Sequence, residues 1–295
     1  MKNKIHYTEL GATLFVPATH KDLIKIVSGT KYPNLKSLVI DTEDAISDND
    51  LDNAKKITKK IIASFEKNKL LVFIRPRNFN FLKELLLCEN INQIDGFILP
   101  KFSLTNAQDY LNILKASPHF IMPSIEEKEL FDTNKLTKLK DLLVEHKEKI
   151  ILVRFGLEDM LRQLSMRRRC EDSIFDIVVT STILGNFLAI FKSAGFGVSG
   201  GVYPCFNDEA GFIKDVKRDL KEGLFSKTII HPNQIELTHE VYKVTLDEFS
   251  EANSLLSSSK SIINLDDKMG EVNTMSPYAS LIVQRKNIYG VRDES

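Results

Sequence analysis

The sequence contains no tryptophan, which by itself carries no functional message, and only three cysteines in 295 residues. Cys88, Cys170 and Cys205 are odd in number and lack the short paired spacings of a metal-binding set. They read as reduced thiols of a cytoplasmic protein. No charge of one sign is in excess. Forty Lys and Arg offset 40 Asp and Glu, so no net field draws the chain to nucleic acid or to an anionic membrane. Nor do basic residues interleave with aromatics as they do on a nucleic-acid-binding face. No apolar run is long enough to span a bilayer, and MKNKIHYTELGATLF lacks the apolar stretch of a secretory signal. Internal repeats and low-complexity linkers are absent too. The expectation is a cytoplasmic protein with small-molecule partners.

What is present is an alternation of short apolar runs with longer amphipathic segments. Strands are expected at Ala12–Val16, Ser37–Ile40, Leu70–Ile74, Gly96–Leu99, His119–Ser124, Ile150–Phe155, Gly197–Ser199 and Thr228–Ile230. Between them fall helical stretches, among them Leu51–Lys67, with Ile57, Ile61, Ile62 and Phe65 on one face, and Glu209–Lys221. Eight strand–helix units in about 230 residues fit the (β/α)₈ barrel, typically about 250 residues. A doubly wound open sheet is the rival, but FVPATH follows strand one where a Gly-rich phosphate loop would stand. The rhythm breaks near Thr245. We therefore expect an α/β (β/α)₈ TIM-barrel domain over 1–244 and a C-terminal helical extension or lid over 245–295. In that extension the loop LDDKMGEVNTMSP leads into a last helix.

In such a barrel the polar residues at strand C-termini face the active-site mouth. Here these are Asp41, Glu43, Asp44, Arg75, Arg77, Lys101, Glu126, Glu158, Asp159, Tyr203 and His231. Glu126 and Asp159 suit a hard dication such as Mg²⁺, which takes one or two carboxylates and leaves room for a chelating substrate. The alternative is local: Ser124 with Glu127 fits a capping box, and first-turn acids are favoured by the helix dipole. Arg75 can hold a substrate carboxylate and steady a developing enolate, or pair with Glu43 and Asp44. Lys101 reads as ion-pairing rather than as a Schiff-base lysine, and His231 as a strand-end cap. Arg162 and Arg167–Arg169 form the one dense basic cluster, either a solvated helix face or an anion handle.

In order, the pieces LFVPATH, LVIDTEDAI, VFIRPRN, GFILPK, IMPSIEE, FGLEDM, GGVYPCFNDEAGF and GLFSKTIIHPNQI resemble the citrate lyase beta-subunit-like group of the HpcH/HpaI aldolase superfamily. The chain is also similar to a less-studied branch of carbon–carbon bond lyases with this barrel. The resemblance implies Mg²⁺ held by Glu126 and Asp159, substrate met by Arg75, and support from Glu43 and Asp44. It further implies cleavage or formation of a C–C bond next to a carbonyl and assembly as trimers or hexamers. Two positions depart from the family. Glu9-Leu10-Gly11-Ala12 stands where an Arg precedes the first strand, and Ala18 replaces a Gly, both near where relatives receive a coenzyme arm. Two functions follow as expectations: a Mg²⁺-dependent lyase of aldol or Claisen type acting on a 2-oxo acid or acyl-thioester, or a barrel subunit dependent on a carrier or larger complex.

Overall fold

In a computed structural model, which describes residues 4–265 and 268–292, the chain forms two compact units divided after Ile235. The first alternates strand and helix: β1 (Thr13–Pro17), α1 (Leu23–Val27), β2 (Ser37–Asp41), α2 (Leu51–Ser64), β3 (Leu71–Arg75), α3 (Phe79–Leu86), β4 (Gly96–Leu99), α4 (Ala107–Leu114), β5 (Phe120–Ile125), α5 (Thr133–Val144), β6 (Arg154–Phe155), α6 (Leu157–Gln163), α7 (Val178–Ser193), α8 (Glu209–Lys221) and β7 (Thr228–Ile229). The seven strands make one parallel sheet in the order β6-β5-β4-β3-β2-β1-β7. Parallel neighbours need a crossover, and the intervening helices supply it. Their buried stripes (Ala54, Thr58, Ile61 and Ile62 on α2; Leu136, Leu139 and Leu143 on α5) recur at helical spacing.

Register decides what the sheet presents. Phe15, Val39 and Phe73 are cross-strand partners, and so are Pro17, Asp41 and Arg75 two residues further on. Side chains alternate with period two, so each later residue lies on the same face as the earlier one. Val39 and Phe73 join Leu10, Ile98, Phe120, Met122, Ile151 and Leu152 in one buried cluster, with Phe15 packed against it. The layer above that cluster, at the strand C-termini, is therefore polar: Asp41, Arg75, Ser124 and Arg154.

The expected strand at Gly197–Ser199 is reduced to an isolated parallel bridge, Val153 to Val198. Val153 N–H donates to Gly197 O and Ser199 N–H to Val153 O, while Phe225 N–H donates to Val198 O. Gly200 and Gly201 end the segment under close packing: a Cβ at Gly200 would meet the Asp219 carboxylate, and one at Gly201 the Leu157 side chain. The regular sheet thus counts seven strands rather than the eight expected. The β6 span is also shorter than Ile150–Phe155; before Arg154 the segment keeps isolated bridges, Ile150 to Ile121 and Val153 to Val198.

Cys170 and Cys205 form a disulfide with Cα atoms 6.0 Å apart, which corrects the expectation of three free thiols. Thirty-five residues separate them, and only the fold brings them together. Arg168 donates to Val202 O, and the Tyr203 hydroxyl donates to Cys170 O and Asp208 Oδ2. Cys88 alone stays free, and burial raises its thiol.

α9 (Gln234–Tyr242) runs through the division. The second unit holds α10 (Leu246–Ser257), β8 (Ile262–Leu265), β9 (Lys268–Glu271) and α11 (Val272–Tyr289). Thr245 and Glu248 form a reciprocal capping box at the start of α10. Ala252 and Leu255 pack against Ala279 and Ile282 of α11, with Val244 and Leu265. The expected loop over 265–277 is instead the second strand of an antiparallel hairpin followed by the first turns of α11. Asp266 and Asp267 of that loop lie outside the described residues. No helix among the described residues is long and apolar enough to cross a membrane.

Candidate active site

The strand ends surround a cavity of about 400 Å³ lined by Asp41, Asp44, Arg75, Ser124, Glu126, Arg154, Glu158, Asp159 and Thr228, among others. Two clusters of charged side chains dominate it, one of mixed sign and one acidic.

The first is built on the register of β2 and β3. Arg75 Nε and Nη2 each donate to Asp41 at 2.7 Å, a bidentate pair across the two strand ends. Arg75 Nη1 donates to Asp44 at 2.9 Å and lies 3.2 Å from Glu43 Oε2. Burial opposes the Arg75 charge, but the hydrogen bonds and charges of the three acids raise the guanidinium above its ordinary range. Lys101 Nζ donates to Glu43 Oε1. Burial lowers the Lys101 ammonium and Glu43 more than restores it, so Lys101 is an ion-pairing cation, as expected. Burial, then a hydrogen bond shared with Asp44, pushes the Glu43 carboxyl up to about 7 against the pull of Arg75 and Lys101. For Asp44 burial also acts upward, but that shared bond, Arg75 and Lys101 bring it below its usual value. Arg77 does not reach the cavity; it donates to Glu43 O, Ile46 O and Asp48 and ties the loop down.

The second group is acidic and sits on β5 and α6. Glu126 is 2% exposed. Its Oε1 accepts from Lys101 N–H at 2.7 Å and its Oε2 from the Ser124 hydroxyl at 2.7 Å. The capping-box alternative therefore fails. Ser124 serves the neighbouring carboxylate, and α5 begins later, capped by Asp132. Asp159 does stand in the first turn of α6, where Arg162 donates to its Oδ1 at 2.7 Å. Burial raises the Glu126 carboxyl, and the charge of Asp159 raises it further, so the two acids feel each other across the cavity. Burial also raises Glu158. Gln163 Nε2 joins the two acids' backbones, donating to Glu126 O at 2.7 Å and to Asp159 O at 3.2 Å. Gly156 lets α6 approach: a Cβ there would lie 2.1 Å from Glu126 Cβ.

Among the described residues no three His, Cys, Asp or Glu side chains converge on one point. Two carboxylates that repel each other across a cavity, each Glu126 oxygen keeping a lone pair beyond its one hydrogen bond, fit a cation that retains several waters.

Three expected residues are placed elsewhere. Tyr203 is buried and committed to Cys170 O and Asp208. His231 stacks on Phe206 at 4.8 Å and accepts from Asn233 N–H. The basic cluster is split: Arg162 stands on the exposed face of α6, while Arg167–Arg169 lie beyond its end. Arg168 is buried against Asp215, itself paired with Lys227, while Arg167 and Arg169 are exposed. Sequence reasoning missed Arg154, Gln163 and Thr228. Arg154 was legible as a lone charge inside IILVRF, on the inward parity of Leu152.

Comparison with known proteins gives a consistent picture. Residues 4–291 match the family described as C-C bond lyase of the TIM-barrel fold. The citrate lyase subunit beta of Haemophilus influenzae is 23% identical over 95% of this chain and 98% of its own length. The (3S)-malyl-CoA thioesterase of Cereibacter sphaeroides (strain ATCC 17025) is 21% identical over 82% of this chain and 80% of its own. The Escherichia coli citrate lyase subunit beta is 27% identical, but the match spans about half of each protein, 50% of this chain and 49% of that one. Among solved structures, CitE of Mycobacterium tuberculosis in complex with magnesium, acetoacetate and coenzyme A superposes with TM-score 0.69, 16% identity, 95% of this chain and 99% of that one. RipC from Yersinia pestis superposes with TM-score 0.62, 17% identity, 82% of this chain and 99% of that one. A parallel sheet with acids and an arginine at its strand ends thus coincides with a family match along nearly the whole chain. The protein belongs to the C–C bond lyases of the TIM-barrel fold and is a citrate lyase beta-subunit-like member of the HpcH/HpaI aldolase superfamily.

Proposed function

We propose that the protein is a Mg²⁺-dependent carbon–carbon lyase of aldol or Claisen type acting on a 2-oxo acid or an acyl-thioester. The observation that carries this reading is that Glu126 and Asp159 line one cavity together with the arginines of β3 and β6, close enough for the charge of Asp159 to act on Glu126. Glu126 and Asp159 would hold the cation, which when bound supplies Lewis-acid polarisation of a substrate carbonyl. Ser124 and the Lys101 amide orient the Glu126 carboxylate, and Gln163 holds the two acid-bearing segments in register.

Arg75 faces the cavity with three nitrogens already committed to acids. In this reading it meets the substrate with its remaining N–H groups, steadying negative charge on oxygen as the bond breaks. Glu43 holds a proton near neutrality and shares a hydrogen bond with Asp44 on the cavity wall, so this pair can pass a proton at the Asp44 oxygens.

We also infer that segment 197–200, bonded to Val153 on one side and to Phe225 and Thr228 on the other, closes an eight-stranded barrel within residues 1–244, with 245–295 as an extension. The reading places the enzyme in the cytoplasm as a homo-oligomer, trimer or hexamer. Neighbouring CitE structures contain magnesium with pyruvate or with acetoacetate, which supports Mg²⁺ and a small oxo acid here. The second reading, a subunit that turns over only with a carrier or complex partner, is favoured by the citrate lyase relatives, which are named as subunits.

Calorimetric titration of Mg²⁺ into Glu126→Ala and Asp159→Ala tests the first reading. Affinity should fall at least about tenfold in each, the loss of one of two carboxylate ligands. Undiminished affinity in both variants would end it. Turnover of 2-oxo acids and acyl-thioesters by the isolated protein separates the two readings, since a dependent subunit stays silent until its partner is added.

A further inference from the structure

Two guanidinium groups flank one aromatic ring in the cavity, and their charges are treated differently. Arg75 lies 5.2 Å and Arg154 4.9 Å from the centroid of Phe15. Arg75 is matched by Asp41, Glu43 and Asp44. Arg154 is 5% exposed, and among the described residues it makes no salt bridge. Its Nη2 donates to the Thr228 hydroxyl, which donates onward to Gly200 O at 2.8 Å. Its Nη1 is buried with no hydrogen-bond partner. Burial and the neighbouring Arg75 disfavour its charge, and Glu126 restores only part of the loss. A buried guanidinium with no salt bridge and an unpartnered nitrogen is stabilised where an anion supplies the missing partner.

We propose that Arg154 is the anchor for the substrate's carboxylate, a specificity-determining residue that selects an oxo acid over its uncharged analogue. The inference rests on reading this cavity as the substrate site. Phe15 packs against the guanidinium, Thr228 takes Nη2, and Nη1 keeps N–H groups of the kind a carboxylate accepts. Arg75, its charge matched by three acids, positions Glu43 and Asp44 and meets developing charge on oxygen with its remaining N–H groups.

The test is calorimetric binding of pyruvate and of pyruvamide, its neutral analogue, to wild type, Arg154→Met and Arg154→Lys, each with and without Mg²⁺. Arg154→Met should weaken pyruvate by about 10- to 100-fold, the range for charge-assisted hydrogen bonds, and change pyruvamide by less than about threefold. Arg154→Lys, which keeps the charge without the fork, should fall between. Without ligand, Arg154→Met should melt at or above the wild-type temperature, because it removes a buried charge that Glu126 offsets only in part; an arginine of purely structural value would lower it. Equal loss of acid and amide, unchanged pyruvate affinity, or wild-type protein that binds no pyruvate under either condition would each overturn the proposal. Mg²⁺ titration of the same proteins keeps the two ideas apart. If Mg²⁺ fails to bind while the acid-over-amide preference still depends on Arg154, the metal-dependent lyase reading falls and the carboxylate anchor stands.

Discussion

Glu43 shows how far a side chain's behaviour departs from its position in a motif. In DTEDAI it is one of three acids in four residues, with nothing to set it apart. In the fold it is 3% exposed, between Arg75 and Lys101, and burial pushes it up to about 7. Because that value lies above the unfolded one of 4.5, the native state binds more protons than the unfolded state between those pH values. Its contribution to stability is present below pH 4.5 and is lost as pH rises toward 7. The stability of wild type relative to Glu43→Gln should therefore decline across that window in urea titrations at a series of pH values. A carboxyl resonance titrating near neutrality should vanish from the carbon NMR spectrum of the variant. A flat difference in stability, with no such resonance in wild type, would contradict the assignment.

At the level of elements, the contact that matters is the one between the end of β5 and the start of α6. Gly156 brings the helix against Glu126 so closely that a single methyl cannot be placed: its carbon would lie 2.1 Å from Glu126 Cβ and 2.9 Å from Glu126 Cα. Since backbone as well as side chain is in the way, relief requires moving the strand end or the helix. Gly156→Ala should cost about 1–3 kcal/mol, the usual range for overpacking, seen as a lower urea midpoint at unchanged slope. It should also weaken Mg²⁺, because the shift displaces one proposed ligand from the other. A loss below about 0.5 kcal/mol, the level of an ordinary surface change, would mean that the two elements are not held as described.

For the molecule as a whole, the Cys170–Cys205 bond is the covalent constraint on the fold. It closes a segment of 35 residues that includes α7 and the glycine-rich stretch before Val202. Loop-closure entropy for that length amounts to about 4 kcal/mol of stabilisation as an upper figure. Melting in dithiothreitol should accordingly occur at a lower temperature than in its absence. A Cys170→Ser, Cys205→Ser double variant should melt at the reduced temperature under both conditions. Identical melting of wild type with and without reductant would show that the two thiols are not joined in solution.

Most strand positions and the acids that follow them were readable along the chain, because period-two burial and amphipathic helices are local patterns that each segment carries within itself. DTED, PSIEE and FGLED each announce an acid at the end of an apolar run before any folding is considered. What lay beyond reading was most of the relations between segments. Ser124 and Glu127 looked like a cap, yet the hydroxyl turns to Glu126. For Arg75 the chain offered a substrate carboxylate or an ion pair with Glu43 and Asp44, and it gave no sign of the bidentate pair with Asp41 that the β2–β3 register sets. Arg154 was passed over inside its strand, yet the sheet sets it against Phe15 with one nitrogen unpartnered and no salt bridge among the described residues. Charge balance in a cavity is a sum over strands that meet only in three dimensions, so tertiary structure alone decides which arginine is satisfied and which still lacks an anion.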